Sequence, residues 1–359
     1  MHDFTTMDEQ DLALVDALQL RPRASWSEVG RILGVDASTV ARRWERLDSS
    51  GLAWMAAYTL PVDFLTARVE VQCEAGTEEQ LARQLAEEPW IYIIDLVTGP
   101  YELLLTVAAR DAPTLASLVS RRIGRLAEVR ATSTSFVLHI YRESGQWLMD
   151  ALGPDQLRSL RATPDRGTRR ADLRFAEHIR QYLDQDPRIS VTELSGHTGL
   201  SETTLRRRLR ALEASEQFSI RCDVAQAPAG WSTIALFKLR VSPAEIDTVG
   251  RMIGALTGVR TCYALTGTAN LCAQFWLHSQ QEILEVEARL DRTFDQLIIV
   301  DRTVIHWSYK RLGRVLDPRG VRQRRVPVEL GEPDSLTETS LTGDTATEPY
   351  LERNGTWGS

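Results

Sequence analysis

The chain has 359 residues, long enough for two or more cored domains. Its 43 % hydrophobic and 25 % charged residues are those of an ordinary globular protein, and it contains no run of about 18 apolar residues that would cross a membrane. The net charge of −7 excludes a surface coated in positive charge, so any nucleic-acid contact has to come from local basic patches.

The N-terminus, MHDFTTMDEQ, is acidic and lacks the apolar stretch of a secretory signal. Cys73, Cys222, Cys262 and Cys272 are scattered, with no CxxC pair. That predicts reduced thiols in a cytoplasmic protein, with no zinc or other metal site and no cofactor. The only lysines are Lys238 and Lys310, so almost every basic contact can be a bidentate arginine fork.

In chain order, Thr6-Met7-Asp8-Glu9 has the form of a capping box, and Leu12, Val15 and Leu18 follow at helical spacing. A first helix is expected from about Asp8 to Leu20. Ser25-Trp26-Ser27-Glu28 opens a second, short helix that ends at Gly34. Asp36 caps a third, running to about Ser49, with Gly51 after its end. This is the helix-turn-helix pattern. On the third helix Val40, Trp44 and Leu47 share the inner face, leaving Ser38, Thr39, Arg42, Arg43 and Arg46 outside. In such a unit the start of the second motif helix enters the major groove, where Arg reaches guanine O6 and N7 and Ser or Thr reaches bases or phosphates.

After an extended segment from Leu52 to Asp63 the period changes. Thr66 to Gln72, Trp90 to Val97, Glu102 to Ala108 and Thr134 to Tyr141 read as strands; Thr77 to Glu88 and Asp111 to Leu126 read as helices. The order βαββαβ is ferredoxin-like: an antiparallel sheet with both helices on one face and the other face needing a cover. Residues 143–167 read as a linker, with Pro154 to Arg161 forming a helical turn or two.

The pattern then restarts. Ser190 to Leu212 repeats Ser25 to Leu47 at a constant shift of 165, with Gly34 on Gly199 and Arg43 on Arg208. Its outer face carries Thr203, Thr204, Arg206, Arg207, Arg208 and Arg210, and Leu205, Leu209 and Leu212 sit inside. Trp231 to Trp307 repeats βαββαβ at a shift of 168. The expected α+β architecture is therefore two helix-turn-helix domains (1–62 and 168–230) alternating with two ferredoxin-like domains (63–142 and 231–312). Residues 313–359 begin with a basic run and become poor in aliphatics, and are expected to be a disordered tail.

This order resembles the Lrp/AsnC (feast/famine) transcriptional regulators, twice over, across roughly Asp8 to Arg142 and Thr168 to Leu312. The opening MDEQDLALVDALQLRPRASWSEVGRILGVDASTVARRWERLDSSGL is similar to that family's reader, with Trp44 where the family often has a smaller apolar residue. Gly99-Pro100-Tyr101-Glu102 resembles the turn of the family's RAM sensor domain, with Glu in place of the more usual Asp; Gly267-Thr268-Ala269-Asn270 keeps the glycine and loses the aromatic and the charge. The resemblance implies a regulator of double-stranded DNA. It also implies an amino acid or other small-molecule effector near Thr98, Gly99, Tyr101 and Glu102, with Gly267 and Asn270 as the second copy. The family pairs sensor sheets between subunits, so the two sensors here should pair within the chain as a pseudo-dimer, with further homo-oligomers plausible. Two alternatives accompany this reading. Siroheme decarboxylases use the same architecture for catalysis with histidines and arginines, yet His2, His139, His178, His197, His278 and His306 share no position between the repeats and show no metal or triad spacing. An interaction protein whose readers have lost DNA affinity would also suit the acidic charge.

Overall fold

The computed structural model describes residues 7–59, 64–161, 172–213 and 218–331. The first reader is α1 (Glu9–Leu20), α2 (Trp26–Leu33) and α3 (Ala37–Ser49). Its opening cap differs from the expected one. Asp8 is the N-cap: its carboxylate accepts the Asp11 N–H at 2.8 Å, and the Asp11 carboxylate accepts the Asp8 N–H at 3.1 Å. Thr6 lies outside the described residues. Ser25 caps α2 as expected, and Gly34 closes it at φ +74°, a conformation that favours glycine. Val40 and Leu47 are buried in the reader's core, while Trp44 is only half-buried at its edge.

β1 (Ala53–Thr59) leaves the reader, followed by β2 (Leu65–Cys73), α4 (Glu78–Leu85), β3 (Ile91–Val97), β4 (Leu103–Ala109), α5 (Ala112–Leu118) and β5 (Val129–Arg142). α6 is Pro154–Arg161. The second reader is α7 (Leu173–Gln185), α8 (Val191–Thr198) and α9 (Glu202–Glu213). Then come β6 (Phe218–Val224), β7 (Thr233–Arg240), α10 (Ile246–Gly254), β8 (Val259–Leu265), β9 (Leu271–Leu277), α11 (Glu282–Thr293) and β10 (Ile298–Arg311).

The sheets correct one expectation. The two ferredoxin-like sheets are not separate layers that meet face to face. They are joined into one closed, antiparallel barrel in the order β2-β4-β3-β10-β7-β9-β8-β5. The cause is the length of the last strand in each half. A strand of 14 residues, as β5 and β10 are, spans roughly 46 Å, more than the sheet it starts in. β5 pairs with β2 from Cys73↔Val129 to Ala67↔Phe136, then crosses to β8 from Val137↔Leu265 to Arg142↔Cys262. β10 pairs with β7 and crosses to β3 in the same way. A threonine pins each crossing. Thr98 N–H donates to the Val304 carbonyl and its hydroxyl accepts the Val304 N–H; Thr266 does the same with Phe136.

Outside the barrel, α4 and α5 cover one half through Leu81, Leu85 and Leu115, and α10 and α11 cover the other through Ile253 and Leu290. The inner face carries charge. The Lys238 ammonium meets the Glu70 carboxylate, and Arg68 lies 3.9 Å from the buried Asp95. Glu70 and Lys238 occupy the same position in the two repeats.

Two further expectations change. Residues 143–161 are not a loose linker: Trp147, Met149, Leu152 and Leu160 pack into the core of the first reader. The buried Asp16 carboxylate accepts N–H groups from Met149 at 2.8 Å and Ala151 at 3.0 Å. The tail is folded at its start. β11 (Arg314–Leu316) and β12 (Arg322–Arg325) form a hairpin on β10. Backbone ladders and the buried Val315, Leu316 and Val326 hold it, although its composition is basic rather than aliphatic. Residues 332–359 lie outside the described residues.

Candidate nucleic-acid interface

The two recognition helices, α3 and α9, have similar backbones and different electrostatics. On α3, Ser38 and Arg42 are exposed and Thr39 is half-buried; Arg42 makes no ion pair with any described residue. Arg43 and Arg46 are held by α1. Arg43 Nη1 donates to both Asp8 oxygens at 2.9 and 3.1 Å and to Asp11 at 2.9 Å, and its Nη2 donates to Gln10 at 2.6 Å. Arg46 Nη2 sits 2.6 Å from both oxygens of Asp11, which is 1 % exposed. Burial opposes the charge on Asp8, but the hydrogen bonds from Arg43 and the Asp11 amide, with the charges of Arg43 and Arg46, together outweigh it and hold the carboxyl below its ordinary range. Bonding to Asp8 in turn raises the Arg43 guanidinium. Two of the three arginines of α3, Arg43 and Arg46, are therefore matched by Asp8 and Asp11.

On α9 the same clamp is missing. Leu173 and Ala176 stand where α1 has Asp8 and Asp11. Arg207 and Arg210 are exposed and make no ion pair with any described residue. Arg206 pairs with Glu202 at 2.9 Å on the surface, and Arg208 lies over the Phe175 ring at 5.3 Å with Asp172 at 3.9 Å. Thr203 is exposed; the Thr204 hydroxyl accepts from Ser201 Oγ at 3.0 Å, in the cap of the helix. α9 thus leaves two exposed arginines, Arg207 and Arg210, without an ion pair among the described residues, and α3 leaves one, Arg42.

What joins the readers is a pair of arginines that residue typing did not single out. Arg23 donates from Nη1 to the Pro187 carbonyl at 2.6 Å and from Nη2 to the Ile189 carbonyl at 2.9 Å. Arg188 returns the contact, donating to the carbonyls of Pro22 and of Ala24, the latter at 2.6 Å. Arg188 also lies 3.8 Å from the centre of the Trp26 ring. Burial, then the nearby Arg23, lowers the Arg188 guanidinium to about 10. The signal was present in the sequence, since 23 and 188 are related by the shift of 165. β1 and β6 complete the joint as an antiparallel ribbon, Ala53↔Val224 to Thr59↔Phe218. The ribbon is tied to the barrel by buried Asp223, which accepts from Arg260 Nη2 at 2.6 Å and from Arg311 Nη1 at 3.4 Å.

The two turns at the barrel end are occupied by their own structure. The Glu102 carboxylate accepts the Cys73 N–H at 2.8 Å. At the matching place in the second half, Asn270 accepts the Val241 N–H at 3.0 Å and donates to the Val241 carbonyl at 2.8 Å. Gly99 and Gly267 have φ of +121° and +118°, and Thr98 is exposed. The Tyr101 ring turns inward, 4.5 Å from Lys238 Nζ. The four cysteines are buried and unpaired. Among the described residues no three His, Cys, Asp or Glu side chains gather as a metal site, and no helix is long and apolar enough to cross a membrane.

Comparison with known proteins places these parts. Residues 7–48 match the AsnC-type helix-turn-helix domain, residues 66–147 the Lrp/AsnC ligand binding domain, and residues 178–216 a winged helix-turn-helix DNA-binding domain. An uncharacterised HTH-type transcriptional regulator of Pyrococcus abyssi is 28% identical over 138 residues, 37% of this chain and 87% of the relative. The HTH-type transcriptional regulator FL11 of Pyrococcus horikoshii is 26% identical over 144 residues, 38% of this chain and 93% of the relative. Among solved structures, the siroheme decarboxylase NirDL in complex with an iron-uroporphyrin III analogue shares the fold across 85% of this chain and 93% of its own, with a TM-score of 0.55 and 16% identity. Residues 7–48 and 66–147 thus match the two domains of the Lrp/AsnC regulators in their usual order, and residues 178–216 match a second helix-turn-helix domain.

Proposed function

We propose that this protein is a sequence-specific DNA-binding transcriptional regulator whose two readers are unequal. α9 supplies most of the attraction for the phosphate backbone, through Arg206, Arg207, Arg208 and Arg210. On α3, Ser38, Thr39 and Arg42 face the groove, while Arg43 and Arg46 shape the reader. Thr203 and Thr204 lie at the start of α9, where groove contacts are made. The observation that carries the reading is the contrast between the two faces: exposed Arg207 and Arg210 on α9 make no ion pair with any described residue, whereas Arg43 and Arg46 on α3 are bonded to Asp8 and Asp11. Two different readers suit an asymmetric pair of half-sites. A small-molecule effector, such as an amino acid, is assigned to the barrel end beside Thr98, Gly99 and Gly267. Because Glu102 and Asn270 already hold backbone groups there, exposed backbone and the Thr98 side chain would make the contact.

The test is a DNA isotherm on duplexes selected from random sequence, repeated across salt concentrations. A reader of DNA loses affinity steeply as salt rises, with a slope near −0.9 per phosphate contact. Flat, weak binding on every duplex would sink the proposal. Among the described residues no gathered set of histidines stands behind the enzymatic reading: His139 meets Tyr141 edge-on, His197 stacks on Tyr182, and His278 lies tilted against Trp231. A tetrapyrrole absorbance band retained by the purified protein, with no DNA shift, would favour it.

A further inference from the structure

The tail hairpin does more than extend the barrel. It closes one side of a cleft of about 470 Å³ whose other walls come from α3, β1 and the turn between α7 and α8. Arg188, Arg314, Arg322, Arg324 and Arg325 line it, with Trp44 and Met55 as its less polar wall. We propose that this cleft binds a small molecule carrying two or more phosphate or carboxylate groups.

The charge balance is the first argument. Five guanidinium groups face two carboxylates, Asp48 and Asp186. Asp48 is taken by Arg322, at 2.9 Å, and Asp186 accepts the Arg188 backbone N–H at 2.8 Å. Arg324 reaches the Glu87 carboxylate. Arg188 meets carbonyl oxygens and an indole, which satisfy its donors but leave its charge in place. The second argument is independent. Arg325 Nη1 is buried and has no hydrogen-bond partner among the described residues. A buried donor left unmade costs about 1–3 kcal/mol, more when charged, and an anion in the cleft removes that cost. Arginine forks match phosphate and carboxylate oxygens in pairs, which favours a ligand with several such groups. The volume lies in the range of small-molecule sites.

The lining of the cleft is not repeated in the second half. At the matching place beside the second reader, Leu209 replaces Trp44 and Glu213 replaces Asp48, and the first half has residues 143–161 instead of an arginine hairpin. Position gives the site its use. A ligand there would touch the first reader, the Arg188 joint to the second, and a hairpin attached to the barrel.

The experiment uses the full chain and does not depend on DNA binding. Inorganic pyrophosphate and citrate are titrated by calorimetry at fixed ionic strength, with orthophosphate and acetate as controls. Pyrophosphate or citrate is expected to bind with Kd of ~100 μM or tighter, and at least tenfold tighter than its control. Arg325→Ala should weaken binding at least tenfold. Arg325→Lys, which keeps charge but not the fork, should fall between, and it carries the test if the alanine variant does not fold. No binding of either polyanion, or equal binding by wild type and both variants, overturns the proposal. So does loss of pyrophosphate binding when a duplex saturates the protein while Arg325→Ala loses duplex binding, since the cleft would then hold DNA phosphate.

Discussion

Replacing Arg207 and Arg43 one at a time separates a reading arginine from a structural one. The two residues occupy neighbouring places on equivalent helices but have opposite surroundings: Arg207 is exposed without a described acidic partner, and Arg43 bonds Asp8, Gln10 and Asp11. If Arg207 forms a bidentate contact with guanine, Arg207→Ala costs ~1–3 kcal/mol, about 5- to 160-fold in Kd, concentrated on the preferred sequence. If it holds a phosphate, the loss is uniform and the salt slope falls by about 0.9. Arg43→Ala should change Kd less than about twofold. It should lower stability by ~1–3 kcal/mol, because buried Asp11 loses one of its two guanidinium partners. Fluorescence anisotropy with a selected duplex at several salt concentrations reads the first quantity, and urea melts read the second. The reasoning fails if Arg43→Ala weakens DNA binding as much as Arg207→Ala at unchanged stability. That result would mean the α1 carboxylates release Arg43 to the DNA.

Arg188→Ala removes two donors to buried-turn carbonyls and the stack on Trp26, and should cost ~2–4 kcal/mol in urea melts, with faster hydrogen exchange around the α1–α2 turn; unchanged exchange there would count against the joint. Asp16 titrates near 6 in the folded protein, because burial outweighs the two N–H groups it accepts, against 3.8 when unfolded. The folded state therefore holds the extra proton between those values, so this group costs stability above pH 6 and the cost is relieved as pH falls toward 4. The contribution is about 3 kcal/mol, and Asp16→Asn should flatten that part of the stability–pH curve; an identical curve would refute it. Gly51→Ala forces φ of +71° on an alanine and sets its Cβ 2.4 Å from the Arg322 carbonyl oxygen, so the Arg322 amide, bonded to the Gly51 carbonyl at 2.9 Å, should lose exchange protection; retained protection would show that the hairpin docks otherwise.

The readers were legible because their signals are local. Ser25, Gly34, Ser190 and Gly199 mark the ends of short helices, and Leu205, Leu209 and Leu212 repeat at the spacing of one buried face. The closed barrel was not, because closure depends on strand pairs such as Val137↔Leu265, more than a hundred residues apart. The first half of β5 also hid itself: residues 130–134 are all exposed and give no apolar alternation. The acidic clamp on Arg43 and Arg46 was hidden for a similar reason, since Asp11 and Arg46 are 35 residues apart and read separately as a helix start and a basic face. The tail hairpin contradicted its composition because a ladder needs backbone groups more than aliphatic side chains, and three buried apolar residues suffice to seat it.

Glu70 and Lys238 hold the same place in the two repeats and meet each other inside the barrel. A separate copy of either half, pairing with its own twin, would set carboxylate against carboxylate or ammonium against ammonium at that point. The pair therefore acts as a lock that accepts only the unlike half. It lets a gene carrying two related units assemble each with its complement, and it penalises mispairing without any contribution from the readers. Once such a lock is in place, substitutions in one half are no longer imposed on the other, and the two ends of the molecule are free to drift toward different tasks.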